Sequence, residues 1–267
     1  MTARIDLRGS RALVTGATGG LGQAIARRLA KESAELVLSG RRLDVLEPLA
    51  NELDATAIVA DLEDLDEVDR LMQEAGPIDL LVANAALSSS GDLLEYSAEQ
   101  VARTVTVNFH APIAMVRTAA LGMVERGRGH IVTIGSVSGK IASTNSSLYN
   151  GTKFGLRGFT LGLRQDLGPK GVGVSIVEPS FVREAGMFAD SKAKLPPGVR
   201  MVSPGDVADG VVRAIRRDRA EVVVAPLELR AGAALSASLP DFAAAVQRIS
   251  GGAKVSDALA EGQRHKR

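Results

Sequence analysis

Residues 11–22 read Arg11-Ala-Leu-Val-Thr15-Gly16-Ala-Thr-Gly-Gly-Leu-Gly22. The first five are a short apolar run of the kind that forms a buried strand. Leu21, Ile25 and Leu29 then recur at four-residue spacing, which places them on one face of a helix. Strand, glycine turn, helix is the layout that aims backbone N–H groups and a helix N-terminus at a phosphate. The glycines divide the work between them, with a tight turn at Gly16, close backbone approach at Gly20 and close helix packing at Gly22. The spacing is TGxxxGxG rather than the more familiar GxGxxG.

The same alternation continues downstream. Apolar runs at 35–39, 55–60, 79–83, 131–134, 173–177 and 221–225 predict six more strands. Between them lie helical patterns at 64–75, at 97–115 with Ser97 as N-cap and a bend at Pro112, at 149–167, and from Ser203-Pro204 to about Arg217. About seven strands alternating with helices predict an α/β fold. The expected architecture is a Rossmann-like, doubly wound parallel sheet in a single domain over residues 1–250, with helices on both faces. Its ligands belong at the carboxyl ends of the strands. Residues 181–202, with Pro196-Pro197-Gly198, are expected to be an irregular substrate cover. Residues 227–249 are expected to form a helical extension interrupted by Pro240, serving packing first and a lid, subunit contact or membrane-surface patch as alternatives. Residues 251–267, ending Arg-His-Lys-Arg, are expected to fray as a basic tail.

Bulk properties narrow the classes. The 267 residues suit one α/β domain, and 45% hydrophobic with 24% charged residues is ordinary globular composition. A net charge of +1 gives no reason to expect nucleic acid or an anionic membrane as partner. No cysteine is present, so disulfides and thiolate metal sites are excluded, and three scattered histidines argue against any metal. No run of about 20 apolar residues exists to span a bilayer. A polar start without a secretory pattern leads to an expectation of a soluble, cytoplasmic protein.

Two features bear on chemistry. Arg41 and Arg42 follow the second strand, with no Asp or Glu between Leu36 and Leu43. An arginine there suits a ribose 2′-phosphate and an acidic residue a 2′-hydroxyl, so NADP(H) is favoured and NAD(H) left open. The second feature is Tyr149-Asn-Gly-Thr-Lys153, preceded by Ser136 at the end of the fifth strand. A helix puts Tyr149 and Lys153 on one face. A free phenol has a pKa near ~10 and is a poor acid–base group at neutral pH. A nearby ammonium favours the phenolate, so Lys153 is expected to lower the Tyr149 pKa. A serine hydroxyl in the same pocket can hold a substrate oxygen as charge develops. By itself the Tyr–Lys spacing also fits a surface pair on a helix. Asn108, among apolar neighbours in the long helical region at 97–115, needs buried partners and could stabilise a helix bulge or hold a water.

Taken together, these motifs resemble the short-chain dehydrogenase/reductase family from Leu7 to Ala225. They are Thr15-Gly16-x-x-x-Gly20-x-Gly22, an Asp after the third strand, Asn84-Ala85 after the fourth, Asn108, and Ser136 thirteen residues before Tyr149-x-x-x-Lys153. The resemblance implies an oxidoreductase that interconverts a carbonyl and a secondary alcohol by hydride transfer from NADP(H). It implies catalytic roles for Asn108, Ser136, Tyr149 and Lys153. Tyr149 would be general acid and base, Ser136 would hold the substrate oxygen, and Lys153 would act on the Tyr149 pKa and the nicotinamide ribose. Asn108 would support a water linking Lys153 to solvent. The resemblance also implies cofactor contacts at Gly16, Thr18, Gly20, Leu21, Gly22, Arg41, Asp61, Leu62, Asn84, Ala85, Ala86, Pro179 and Val182, besides Tyr149 and Lys153. A homodimer or homotetramer is implied as well, while the apolar-to-mixed stretches Leu87–Glu95, Ile141–Leu148 and Phe181–Val202 of the chain itself point to a small, fairly hydrophobic substrate. The sequence departs from the family pattern in Ala83-Asn-Ala-Ala86, in Pro179-Ser180 for Pro-Gly, and in Glu184 where a threonine would contact the nicotinamide amide. These last departures motivate an alternative, a sensor or scaffold that binds the dinucleotide without turnover.

Overall fold

A computed structural model describes residues 5–191, 195, 200–238 and 252–263. Seven strands form one parallel sheet in the order β3-β2-β1-β4-β5-β6-β7. They are β1 Arg11–Thr15, β2 Glu35–Gly40, β3 Thr56–Val59, β4 Leu80–Ala83, β5 Gly129–Ile134, β6 Val172–Pro179 and β7 Glu221–Val224. The order steps outward from β1 in one direction and then, from β4, in the other. That reversal opens a crevice at the carboxyl ends of β1 and β4.

Ten α-helices lie among the described residues, eight between strands and two after β7: α1 Gly20–Ala30, α2 Leu43–Leu53, α3 Leu65–Ala75, α4 Ala98–Val105, α5 Ala111–Glu125, α6 Ser147–Leu167, α7 Gly186–Ser191, α8 Pro204–Arg216, α9 Leu227–Ser238 and α10 Gly252–Gln263. Alternation along the strands supplies two cores. Val14 and Leu36 face a layer with Ile25, Leu29 and Val211, while Leu13 and Val37 face the opposite layer with Met115, Leu71 and Met123. The strands are apolar on both faces because helices cover both.

Four elements differ from the sequence reading. The long helix expected over 97–115 opens at Thr106–His110 into a π turn, with Pro112 in the first turn of α5 just beyond it. β6 runs to Pro179, two residues past the apolar run, where Glu178 and Pro179 pair with Val223 and Val224 of β7. The cover segment is not wholly irregular: Val182 bridges to Val202 and α7 follows. Residues 252–263 form α10, where a fraying tail was expected; Val255, Ala260 and Gln263 are buried, so the segment has an apolar surface to pack. The remainder of the expected tail, 264–267, and the Pro240 interruption lie outside the described residues. No helix among the described residues is long and apolar enough to cross a membrane.

Candidate active site

The glycine turn leaves β1 at Gly16, whose φ of +66° only glycine adopts without strain. A Cβ at Gly16 would stand 2.8 Å from the Ala85 Cα, so the turn is packed against the end of β4. A Cβ at Gly22 would fall 2.2 Å from the Gly16 carbonyl oxygen. Gly22 therefore serves the compactness of its own turn rather than contact with another helix. The N-cap of α1, Gly19, offers no side-chain cap, and the first turn carries no acidic residue. The first N–H groups of α1 are thus left to an anion.

Thr15 joins the turn to β4. Its hydroxyl accepts the backbone N–H of Asn84 at 3.1 Å and of Ala85 at 3.3 Å, while the Asn84 amide donates to the Thr15 carbonyl at 2.9 Å. Asn108 is pinned by the π turn. Its Oδ1 accepts the Leu87 N–H at 2.7 Å and its Nδ2 donates to the Leu87 carbonyl at 2.9 Å. Opening the helix by one residue is what turns this amide onto a neighbouring chain segment.

Ser136 follows β5 and opens a single 3-10 turn, Val137–Gly139. Its hydroxyl accepts the Ser138 N–H at 3.1 Å and lies beside the phenol of Tyr149, on the first turn of α6. One turn on, Lys153 is buried, with Nζ 5.7 Å from the centre of the Tyr149 ring and donating to the Ile134 carbonyl at 2.9 Å. Burial pushes the Tyr149 phenol up to about 12, and the neighbouring Ser136 hydroxyl offsets only part of that rise. The expected lowering by Lys153 does not appear: burial raises the phenol and Ser136 alone opposes it. Burial likewise brings the Lys153 ammonium down to about 8.

All these parts open on one cavity of about 1460 Å³. Ser136, Tyr149 and Lys153 line it together with Gly16, Thr18, Gly20, Leu21 and Gly22 of the turn. Arg41, Asp61 and Leu62 line it beyond β2 and β3, Asn84, Ala85 and Ala86 beyond β4, and Pro179 and Val182 beyond β6. Of the residues singled out in the sequence, only Asn108 stands behind the wall, acting on Leu87.

The family model for short chain dehydrogenases matches residues 10–196. The chain belongs to the short-chain dehydrogenase family. A curated relative, the ketoacyl reductase HetN of Nostoc sp., is 36% identical over 227 residues, covering 82% of this chain and 79% of that protein. A solved short-chain dehydrogenase from Sphingobium yanoikuyae in complex with NADPH superposes with a TM-score of 0.76 at 28% identity, covering 87% of this chain and 94% of the other. A serine dehydrogenase complexed with NADP+ gives 0.74 at 29% identity, covering 82% and 95%. This short-chain dehydrogenase/reductase is accordingly an enzyme of the oxidoreductase class.

Its two departures from the family pattern beyond β6 lie together. Ser180 donates its backbone N–H to Val224, and Glu184 has a φ of +68° with its carboxylate 2.9 Å from Arg183 Nε. Ala185 then leans on the glycine turn, its Cβ 2.7 Å from where a Gly20 Cβ would be. The cavity also includes residues the sequence reading did not assign. Val255, Leu259 and Gln263 of α10 line it, and the Asn145 amide donates to Asp257 at 2.7 Å, joining α10 to the loop before α6. Their four-residue spacing was the available signal.

Proposed function

We propose that this dehydrogenase uses NADP(H) to interconvert a carbonyl and a secondary alcohol on a small, largely apolar molecule, with Tyr149 as proton donor and acceptor. The observation that carries the reading is that Ser136, Tyr149 and buried Lys153 line one cavity together with the glycine turn. The turn fits a dinucleotide: its backbone has no room for side chains, and α1 begins without a cap. Arg41 pairs with Asp61 at 3.5 Å with both side chains about half-exposed, so its guanidinium can turn readily to a 2′-phosphate.

When bound, the dinucleotide supplies the hydride in reduction and takes it in oxidation. Ser136 holds the substrate oxygen by a hydrogen bond. Tyr149, kept protonated by burial, gives its phenolic proton to that oxygen, and in oxidation its phenolate takes a proton from the alcohol. The Lys153 ammonium favours the phenolate left behind and binds the nicotinamide ribose. Asn108, in a π turn packed on α6 where Phe109 meets Gly155, supports the polar route from Lys153 to solvent. Ile141, Phe181, Phe188, Leu229, Val255 and Leu259 give the substrate end an apolar lining. Exposed Leu121 and Phe154 on α5 and α6 favour assembly of copies through those helices. The test is calorimetry of NADPH against NADH, then turnover on a panel of ketones and alcohols. NADPH binding with turnover of apolar carbonyls is expected, and no turnover across the panel would overturn the reading.

A further inference from the structure

Behind the catalytic loop lies a group of charges that proton transfer does not use. Glu178, the next-to-last residue of β6, is fully buried. Its carboxylate stands 3.2 Å from Lys140 Nζ and 3.6 Å from Arg157 Nε. Glu221, at the start of β7, takes the same two cations at 2.6 and 2.8 Å. Two cations and two anions therefore meet at the carboxyl end of β6. Each comes from a different element: the loop after Ser136, helix α6, β6 and β7.

We propose that Lys140, Arg157, Glu178 and Glu221 form a clamp that holds the Ser136 loop in register with Tyr149 on α6, with Glu178 as its central positioning residue. The proposal rests on the reading of function just given. Lys140 closes the 3-10 turn that Ser136 opens, its N–H donating to the Val137 carbonyl at 2.9 Å. Arg157 lies one helical turn beyond Lys153 and two beyond Tyr149. Tying both cations to the same two carboxylates fixes the loop against the helix at the end away from the cavity. Contacts on the near side admit little slack. A Cβ on Gly139 would fall 2.8 Å from the Lys153 carbonyl, and the Asn150 amide donates to the Ile141 carbonyl at 2.7 Å.

A buried ion cluster adds little net stability, because desolvation cancels most of the attraction. Fixed geometry is what it can supply. The balance is also sensitive to protons. From its neighbours Glu178 faces Lys140 on the loop, Arg157 on α6 and Glu221 on β7. Burial, then the Glu221 charge, push its carboxyl up to about 7 against the opposing pull of Lys140. Protonation leaves two cations facing one anion and frees Lys140 from the end of β6.

Glu178→Gln keeps the shape and removes the charge. Dinucleotide affinity by calorimetry is expected to stay as in wild type. The kcat for carbonyl reduction is expected to fall by up to about 100-fold, the size of loss a displaced reacting group brings. Wild-type kcat should fall as pH drops through about 7, and the variant should lack that limb. Amide exchange should rise across 136–141 but not in β1 or β2. Unchanged exchange at 136–141 together with an unchanged kcat profile overturns the proposal, whatever happens to Tm. If Glu178→Gln does not fold, Lys140→Gln, at a side chain 12% exposed, is judged by the same two measurements. An enzyme with no turnover would fail the functional reading, and exchange at 136–141 would still decide for or against the clamp.

Discussion

Lys153 Nζ donates a hydrogen bond to the carbonyl of Ile134, two residues before Ser136. The ammonium that serves the phenol therefore also anchors α6 to the end of β5. Tyr149→Phe removes the proton and leaves this anchor intact. It is expected to lower kcat by about 10²–10⁴-fold while dinucleotide affinity and Tm stay near wild type. Lys153→Met removes both functions, so Tm should fall along with kcat. A sensor without turnover would instead show dinucleotide binding and no activity for Tyr149→Phe to abolish. Steady-state rates, calorimetry and thermal melts on the two variants separate these outcomes.

The pH dependence follows from Lys153. Its ammonium is brought from 10.5 down to about 8 by burial, so above about 8 the free enzyme loses the charge that favours phenolate formation. For carbonyl reduction, kcat/KM is expected to decline as pH rises through about 8. Stability moves the other way. The unfolded chain binds this proton more tightly, so the contribution of Lys153 to stability improves between about 8 and 10.5. Rate profiles and melts over that window should slope in opposite directions, and a flat rate profile would remove Lys153 from proton transfer.

Cofactor choice is expected to reside in Arg41. Its partner Asp61 is 3.5 Å away and 42% exposed, a weak pair that a phosphate can replace. Arg42 is less free, since its guanidinium donates to the Thr18 carbonyl and so braces the glycine turn. Arg41→Ala should weaken NADPH by about 10- to 100-fold, the range of one hydrogen bond to a charged group, and leave NADH nearly unchanged. Equal loss for both dinucleotides would place the 2′-phosphate elsewhere.

Much of this was legible in the sequence because local rules and tertiary demands agree. β1, the glycine turn and α1 are set by apolar spacing and by glycines that nothing larger can replace. The same holds for Tyr149 and Lys153, which one helical turn brings together whatever surrounds them. The π turn at Thr106–His110 was legible only as one alternative, a helix bulge at the buried Asn108, because an inserted residue leaves the apolar spacing nearly intact. Its cause is the pairing of Asn108 with Leu87, a contact 21 residues away in sequence. The helix α10 was missed because Arg and Lys at 264–267 dominate the end of the chain, while its apolar face finds a use only in packing near α7. The direction of the Tyr149 shift was missed for a related reason: spacing reveals the neighbouring charge but not the depth of burial.

Acid stability should depend on a residue remote from the cavity. His130 lies near the start of β5, its ring packed so closely on Gly173 that a Cβ there would stand 2.3 Å from Nδ1. Its Nε2 is 2.8 Å from the Ser175 hydroxyl, and that hydroxyl donates its proton to the Arg219 carbonyl at 2.6 Å. Ser175 can then only accept, so Nε2 carries a proton, and burial keeps the ring neutral by leaving Nδ1 without one. Burial brings it from 6.5 down to about 4, a shift the nearby Asp218 opposes and Arg164 assists. The unfolded chain binds the extra proton first. The stability this group contributes is therefore complete above 6.5 and is lost as pH falls through about 4, by up to about 3 kcal/mol. His130→Gln keeps a donor toward Ser175 and cannot titrate. Denaturant melts from pH 7 to 4 should show a shallower loss for the variant than for wild type, and parallel curves would mean that other groups govern acid unfolding.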